Sequence, residues 1–217
     1  EVVAMPADGY HGEYIIDIAH DIFEREGDVP SKLPEEERIA HFRKIGEKRL
    51  LAEQKKTLEN FGVTFDTWFS ECDLYESGLV EEAIETLKKR GYVYPNADAL
   101  WFKATVFGDD KDRVLIRQNE VPTYLAADVA YHKNKLDRGF TRLVDIWGAD
   151  HHGYIPRMRA SIQALGYPPE ALEVLIIQMV RLMRGGEQVM MSKRAGEFTS
   201  LDDILAEVGR DAARFFF

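Results

Sequence analysis

Lys193 and Ser192 stand in Met190-Met191-Ser192-Lys193-Arg194-Ala195-Gly196, a segment bracketed by Gly185-Gly186 and Gly196. Glycines on both sides let such a loop close over a polyphosphate, to which Lys193 brings charge and Ser192 a hydrogen bond. A second punctuated stretch, Gly148-Ala149-Asp150-His151-His152-Gly153-Tyr154, follows the apolar run from Leu143 to Trp147. Gly148 admits a ligand close to the backbone, and the acceptor-only carboxylate of Asp150 suits the paired hydroxyls of a ribose. Together the two segments read as a nucleotide site. The alternative at Asp150 is a strand-end turn in which this carboxylate caps the next helix. Tyr124 and Asp128 lie four residues apart on a predicted helix, so both project from one face. A planar guanidinium, with forked donors that lysine lacks, can meet both; an ordinary polar helix face is the alternative.

The elements that must position these residues follow from periodicity and punctuation. Ile15, Ile18, Ala19, Ile22 and Phe23 recur at helical spacing from Tyr14 to Glu26, and Gly27 stops that helix. A second helix starts near Pro34 and runs toward Gly62, with a bend allowed at Gly46. Val63 to Phe69 carries strand-like content, and Leu79 to Arg90 reads as a helix closed by Gly91. Aromatic and β-branched runs between Tyr92 and Arg117, broken at Gly108-Asp109-Asp110, predict a small antiparallel insert. After Pro122 come a helix from Thr123 to Leu136, a strand from Leu143 to Trp147, a helix from Pro156 to Leu165 and a strand from Leu172 to Val180. That alternation predicts an α/β fold with a parallel sheet covered on both faces. Ser200 with Asp203 predicts a capping box for a helix from Leu201 to Val208, ended by Gly209. Three regions are expected: a helical and strand segment over residues 1–70, an insert over 71–120, and an alternating α/β region over 121–217.

The segment Met190 to Gly196 resembles the Lys-Met-Ser-Lys-Ser loop of class I aminoacyl-tRNA synthetases, and Gly148 to Asp150 resembles the Gly-x-Asp strand end that holds ATP ribose there. Tyr10-His11-Gly12-Glu13-Tyr14, Phe65-Asp66-Thr67-Trp68-Phe69-Ser70-Glu71, the stretch Tyr124 to His132, and Asp211-Ala212-Ala213-Arg214-Phe215-Phe216-Phe217 narrow the match. In this order they resemble bacterial arginyl-tRNA synthetases over nearly the whole chain. The family's His-x-Gly-His tetrad is not among these residues, since His11-Gly12 and His152-Gly153 have the wrong partners. With the Glu1 start and the three-phenylalanine end, this leads to the expectation of an internal fragment of a catalytic domain, inactive by itself.

The resemblance implies a Rossmann-like parallel sheet and a parent that joins arginine to tRNA(Arg) by way of an arginyl-adenylate. Under it, residues 1–70, 71–120 and 121–217 are expected to be the first part, the connective insert and the second half of a nucleotide-binding catalytic domain. It implies catalytic roles for Lys193 and Ser192, ATP contacts from Gly148, Asp150, His151, Val189, Met190, Met191 and Arg194, and an arginine clamp from Tyr124 and Asp128. Met190 stands where the motif's first lysine would be, which removes one charge from the expected loop. ATP enters as a substrate with Mg, no tightly bound metal is expected, and the parent is expected to be monomeric with a helical anticodon-reading domain beyond Phe217. Tyr131 and His132 are read as residues that pack and that support the pocket from behind, and Trp68, Trp101 and Trp147 as core anchors. Arg157, Arg159, Arg181 and Arg184 are either a basic rim for a tRNA end or pyrophosphate, or scattered surface arginines.

Bulk properties bound these readings. A net charge of −10 over 217 residues argues against a general nucleic-acid coat, although local basic patches stay possible. The single cysteine, Cys72, excludes an internal disulfide and fits a cytoplasmic protein. No apolar run reaches membrane length. Asp150-His151-His152 also matches the metal-binding Asp-His-His triplet of a phosphoesterase family, but a two-metal site needs further strand-end carboxylates and none stands out. A noncatalytic RNA-binding module would want an arginine-rich stripe, which is also lacking.

Overall fold

The helical periods and glycine stops read above become elements in a computed structural model that describes residues 12–189 and 199–217. In chain order these are α1 (Glu13–Glu26), α2 (Glu35–Phe61), α3 (Glu71–Glu76), α4 (Leu79–Lys89), β1 (Val93–Asn96), β2 (Ala99–Phe102) and β3 (Arg113–Ile116). There follow α5 (Tyr124–Asp137), β4 (Leu143–Gly148), α6 (Ile155–Ala164), β5 (Leu172–Ile177), β6 (Met183–Arg184), β7 (Glu187–Gln188), α7 (Leu201–Val208) and α8 (Arg210–Phe216). The chain divides into two units, Glu1–Asp66 with Val180–Phe217, and Thr67–Met179.

In the first unit α2 passes through Gly46 without interruption and ends at Gly62, which takes a left-handed conformation at φ 80°. Arg214 of α8 donates from Nη1 to the carbonyls of Phe61 and Gly62, both at 3.0 Å, so a cation satisfies acceptors that the end of α2 leaves open. The capping box at α7 forms as the spacing predicts: the Asp203 amide donates to Ser200 Oγ at 3.1 Å and the Ser200 amide to the Asp203 carboxylate at 2.8 Å. Gly185 and Gly186 both hold positive φ in the turn between β6 and β7.

The second unit carries the hydrophobic core. Val80, Ala83, Ile84 and Leu87 form the buried stripe of α4, at helical spacing, against α5, whose Ala126, Ala127, Val129 and Ala130 are buried in turn. Small side chains on α5 let it lie close to α4, α3 and α6. Strands β4 and β5 pair in parallel, in register from Leu143 opposite Leu172 to Gly148 opposite Ile177. The insert is a three-stranded antiparallel sheet in the order β1-β2-β3, as expected, with Asp109 and Arg113 bracing the β2 to β3 connection through a two-pronged ion pair at 2.7 and 2.8 Å.

Four expectations change. Val63 to Phe69 forms no strand, because β-prone residues need a neighbouring ladder and none pairs with this stretch. The strand begun at Leu172 ends at Ile177 rather than Val180, since its partner ends at Gly148. The short helices α3 and α8 were not expected. The β4–β5 pair is covered on one face only among the described residues: Leu143, Asp145 and Leu172 are buried, whereas Val144, Ile146, Leu175 and Ile177 are exposed. An apolar strand marks two faces able to be buried, and here α5 and α6 share a single core with the inner one.

Candidate functional site

Within the second unit, beyond the carboxyl end of β4, lies a cavity of about 640 Å³. That end of a parallel strand is where open α/β sheets bind their ligands. Helix α5 contributes Tyr124, Ala127, Asp128 and Tyr131 to the lining, one face of the helix as the four-residue spacing predicts. The end of β4 and the 3-10 turn after it contribute Trp147, His151 and Tyr154, and the α3 region adds Phe69, Glu71 and Leu74. Phe69 and Tyr131 stack with centroids 4.7 Å apart, and Trp147 meets Tyr154 edge-on at 5.8 Å. The walls are therefore aromatic and the charges carboxylate, from Glu71 and Asp128. Flat apolar walls with a carboxylate at the end suit a flexible chain that ends in a planar cation.

Asp128 is held in place. The Tyr154 hydroxyl donates to its Oδ2 at 2.6 Å. Burial, then that hydrogen bond and the Asp128 charge, push the Tyr154 phenol far above its ordinary range, so it stays a donor. The Tyr75 phenol is raised as well, by burial first and then by the nearby carboxylates, Glu71 ahead of Asp128.

A buried ion pair fixes α5 on β4. His132, 4% exposed, places Nδ1 at 2.7 Å from the Asp128 carbonyl and Nε2 at 2.7 Å from Asp145 Oδ2. Lys135 donates to Asp145 Oδ1 at 3.1 Å while its ammonium lies 4.3 Å from the Tyr131 ring centre. Burial would raise the Asp145 carboxyl, but the His132 hydrogen bond and charge, with Lys135, hold it below the usual carboxylate range. His132, read as packing and as support behind the pocket, is a polar strut between the helix that carries Asp128 and the strand that carries Trp147.

Of the residues singled out from sequence, Tyr124, Asp128 and His151 come together in the cavity lining. Gly148 ends β4, and Asp150 sits in the following 3-10 turn with its side chain exposed. A Cβ on Gly148 would lie 2.7 Å from Asp150 Oδ1, so the glycine makes room for the carboxylate itself. Asp150 caps neither the 3-10 turn nor α6, which removes the capping alternative. Val189 belongs to the other unit, where its amide donates to the Leu182 carbonyl at 2.9 Å. Met190, Met191, Ser192, Lys193 and Arg194 lie outside the described residues. Arg157 packs its guanidinium 4.6 Å from the Tyr154 ring centre, and Arg184 pairs with Glu207 at 2.6 Å. Trp147 lines the cavity besides joining the core. Sequence reasoning missed Glu71 and Tyr154 as site residues; Ser70 before the acidic Glu71 is a helix-start signal that could have raised the first. Among the described residues no three His, Cys, Asp or Glu side chains gather as a metal site, and no helix is long and apolar enough to cross a membrane.

A parallel strand that ends on glycine beside an acidic, aromatic-walled cavity, with an antiparallel insert ahead of it, is an open α/β sheet with a ligand crevice at its carboxyl edge. The profile of tRNA synthetases class I (R), catalytic domain, matches residues 25–215, and the chain belongs to that family. It is 56% identical over 214 residues to the arginine–tRNA ligase of Desulforudis audaxviator (strain MP104C), covering 98% of this chain and 38% of that relative. The arginine–tRNA ligase of Bacillus subtilis (strain 168) is 53% identical over 213 residues, again with 98% and 38% covered. A crystal structure assigned as an arginyl-tRNA synthetase of Campylobacter jejuni superposes with a TM-score of 0.89 at 39% identity, over 99% of this chain and 46% of that one. The Thermus thermophilus arginyl-tRNA synthetase shares the fold, with a TM-score of 0.64 at 20% identity, covering 92% of this chain and 39% of that chain. The chain thus spans about 38% of the length of the curated relatives it matches.

Proposed function

We propose that this chain is the arginine-selecting and ATP-closing part of an arginine–tRNA ligase, and that the whole protein carries the reaction. One observation carries this reading: Asp128 and Glu71 meet in a single aromatic-walled cavity, with the Asp128 carboxylate already oriented by Tyr154. A guanidinium can donate to Asp128 and to Glu71 while Tyr124 closes over it, which leaves the α-carboxylate of arginine free to attack the α-phosphorus of ATP. The attack expels pyrophosphate and leaves arginyl-adenylate. Asp150 and Gly148 are assigned to the ATP ribose, His151 to the space between ATP and amino acid, and Val189, Met190, Met191 and Arg194 to the nucleotide's rim. Lys193 and Ser192 stabilise charge on the departing phosphates, with Mg accompanying ATP as part of that substrate. A terminal ribose hydroxyl of tRNA(Arg) then attacks the activated carbonyl, forming the arginyl ester, breaking the bond from that carbonyl to the phosphate oxygen and releasing AMP. The resemblance adds that bound tRNA is needed for the first step, and that the ligase works as a monomer in the cytoplasm. Without a His-x-Gly-His tetrad, these 217 residues bind and position rather than turn over by themselves.

Calorimetric titration of the full-length protein with arginine, lysine and citrulline tests the assignment. Arginine is expected to bind and the neutral isostere citrulline to fail. Citrulline binding as tightly as arginine overturns a carboxylate clamp.

A further inference from the structure

An acidic pocket attracts any cation, so selection of arginine over lysine needs more than charge. A guanidinium presents donors in one plane, whereas an ammonium is a compact point charge that a carboxylate can meet in almost any rotation. Discrimination therefore depends on how firmly the plane of the Asp128 carboxylate is fixed. Asp128 itself has a short side chain on α5, and its Oδ1 accepts no hydrogen bond from the described residues, so the second oxygen decides the orientation.

That oxygen is held by a built arrangement. Tyr154, at the end of the 3-10 turn after β4, donates to Oδ2 at 2.6 Å. Its ring is wedged between Trp147, edge-on at 5.8 Å, and the Arg157 guanidinium, 4.6 Å from the ring centre. The donor thus comes from a different element than the carboxylate and is itself fixed on two sides. Resting on the arginine pocket above, we propose that Tyr154 is a specificity-determining positioning residue, whose phenol locks the Asp128 carboxylate in the plane that a guanidinium needs. Tyr154 does not contact the reacting atoms; it acts through Asp128. Each carboxylate oxygen has two acceptor positions, so Oδ2 can keep the phenol while a ligand N–H uses the remaining ones.

The test compares Tyr154→Phe, Asp128→Ala and wild type in the full-length protein by calorimetry with arginine and lysine, alongside ATP affinity and thermal melting. Loss of a hydrogen bond to a charged group should weaken arginine binding by about tenfold or more. Lysine and ATP binding should stay within about twofold of wild type in Tyr154→Phe, so that the arginine-to-lysine ratio narrows. If Asp128→Ala binds arginine as wild type does, the arginine pocket itself fails. If Asp128→Ala loses arginine and Tyr154→Phe does not, or if Tyr154→Phe weakens arginine, lysine and ATP alike, the positioning role is overturned. A second measurement needs no variant: in a crystal structure of the full-length protein with arginine, the phenol should remain within hydrogen-bond distance of Asp128, and its displacement by the guanidinium refutes the proposal.

Discussion

Replacing Asp145 by leucine takes away the acceptor on which the buried contact of α5 with β4 depends. In the wild-type chain Asp145 receives His132 at 2.7 Å and Lys135 at 3.1 Å, and its side chain is 7% exposed. Without it, the Nε2 of a buried imidazole has no partner. Breaking a buried pair by removing one member costs about 3 to 5 kcal/mol. Lys135 can turn toward water, since its side chain is 19% exposed, so the lower end, about 3 kcal/mol, is expected. For a unit of this size that lowers the melting temperature by roughly 10 to 15 °C. His132→Leu should cost about as much. The double variant should recover most of the loss, because two apolar side chains in place of a buried pair are close to neutral, so that it costs roughly 5 kcal/mol less than the sum of the two singles. The pH dependence gives an independent arm. Despite burial, His132 and Lys135 keep the folded carboxyl below its unfolded value, so its stabilisation is complete above about pH 4 and is lost as pH falls through the folded value. Wild type should therefore lose stability below about pH 4 more steeply than Asp145→Leu. Urea unfolding of the four proteins from pH 3 to 7, followed by tryptophan fluorescence, measures both effects. Single costs that simply sum in the double variant, with parallel curves at low pH, refute the strut.

Asp128→Ala in the full-length ligase should raise the arginine KM by about ten- to a hundredfold and leave the ATP KM nearly unchanged; equal effects on both remove its assignment. Glu71→Gln keeps the shape but not the charge and should raise the arginine KM by about tenfold, read in the same assay. Lys193→Ala should slow pyrophosphate exchange, measured with tRNA present, by a barrier of about 3 kcal/mol while arginine affinity holds, and a wild-type rate excludes it from the chemistry. Ser200→Ala breaks the capping box of α7 and should cost about 1 kcal/mol in thermal melts.

Elements that bury one stripe of a regular period were legible in the sequence. The ends of α2 and α7, and the connection that follows α4, were legible as well, because Gly62, Gly91 and Gly209 adopt positive φ there. What escaped depends on partners rather than on local preference. Val63 to Phe69 has the composition of a strand but no ladder to join, and the strand from Leu172 stops where β4 stops. The turn between β1 and β2 also escaped, since Ala97 and Asp98 take positive φ without the glycine that usually signals it.

The site divides along the same line. Tyr124 and Asp128 could be paired from sequence because a helix converts a four-residue spacing into a shared face. Glu71 and Tyr154 stand 57 residues before and 26 residues after Asp128 (128 − 71 and 154 − 128), on separate elements, and no local period links them to it. In the proposed pocket these two distinguish a clamp from an isolated acid: Glu71 lines the same cavity as a second carboxylate, and Tyr154 donates to the first. Preorganisation of this kind is a property of tertiary packing, because the atoms that hold Asp128 are themselves held by Trp147 and Arg157. Under the proposed reading, the sequence motif names the residue that meets the ligand, and the fold determines how selectively it can do so.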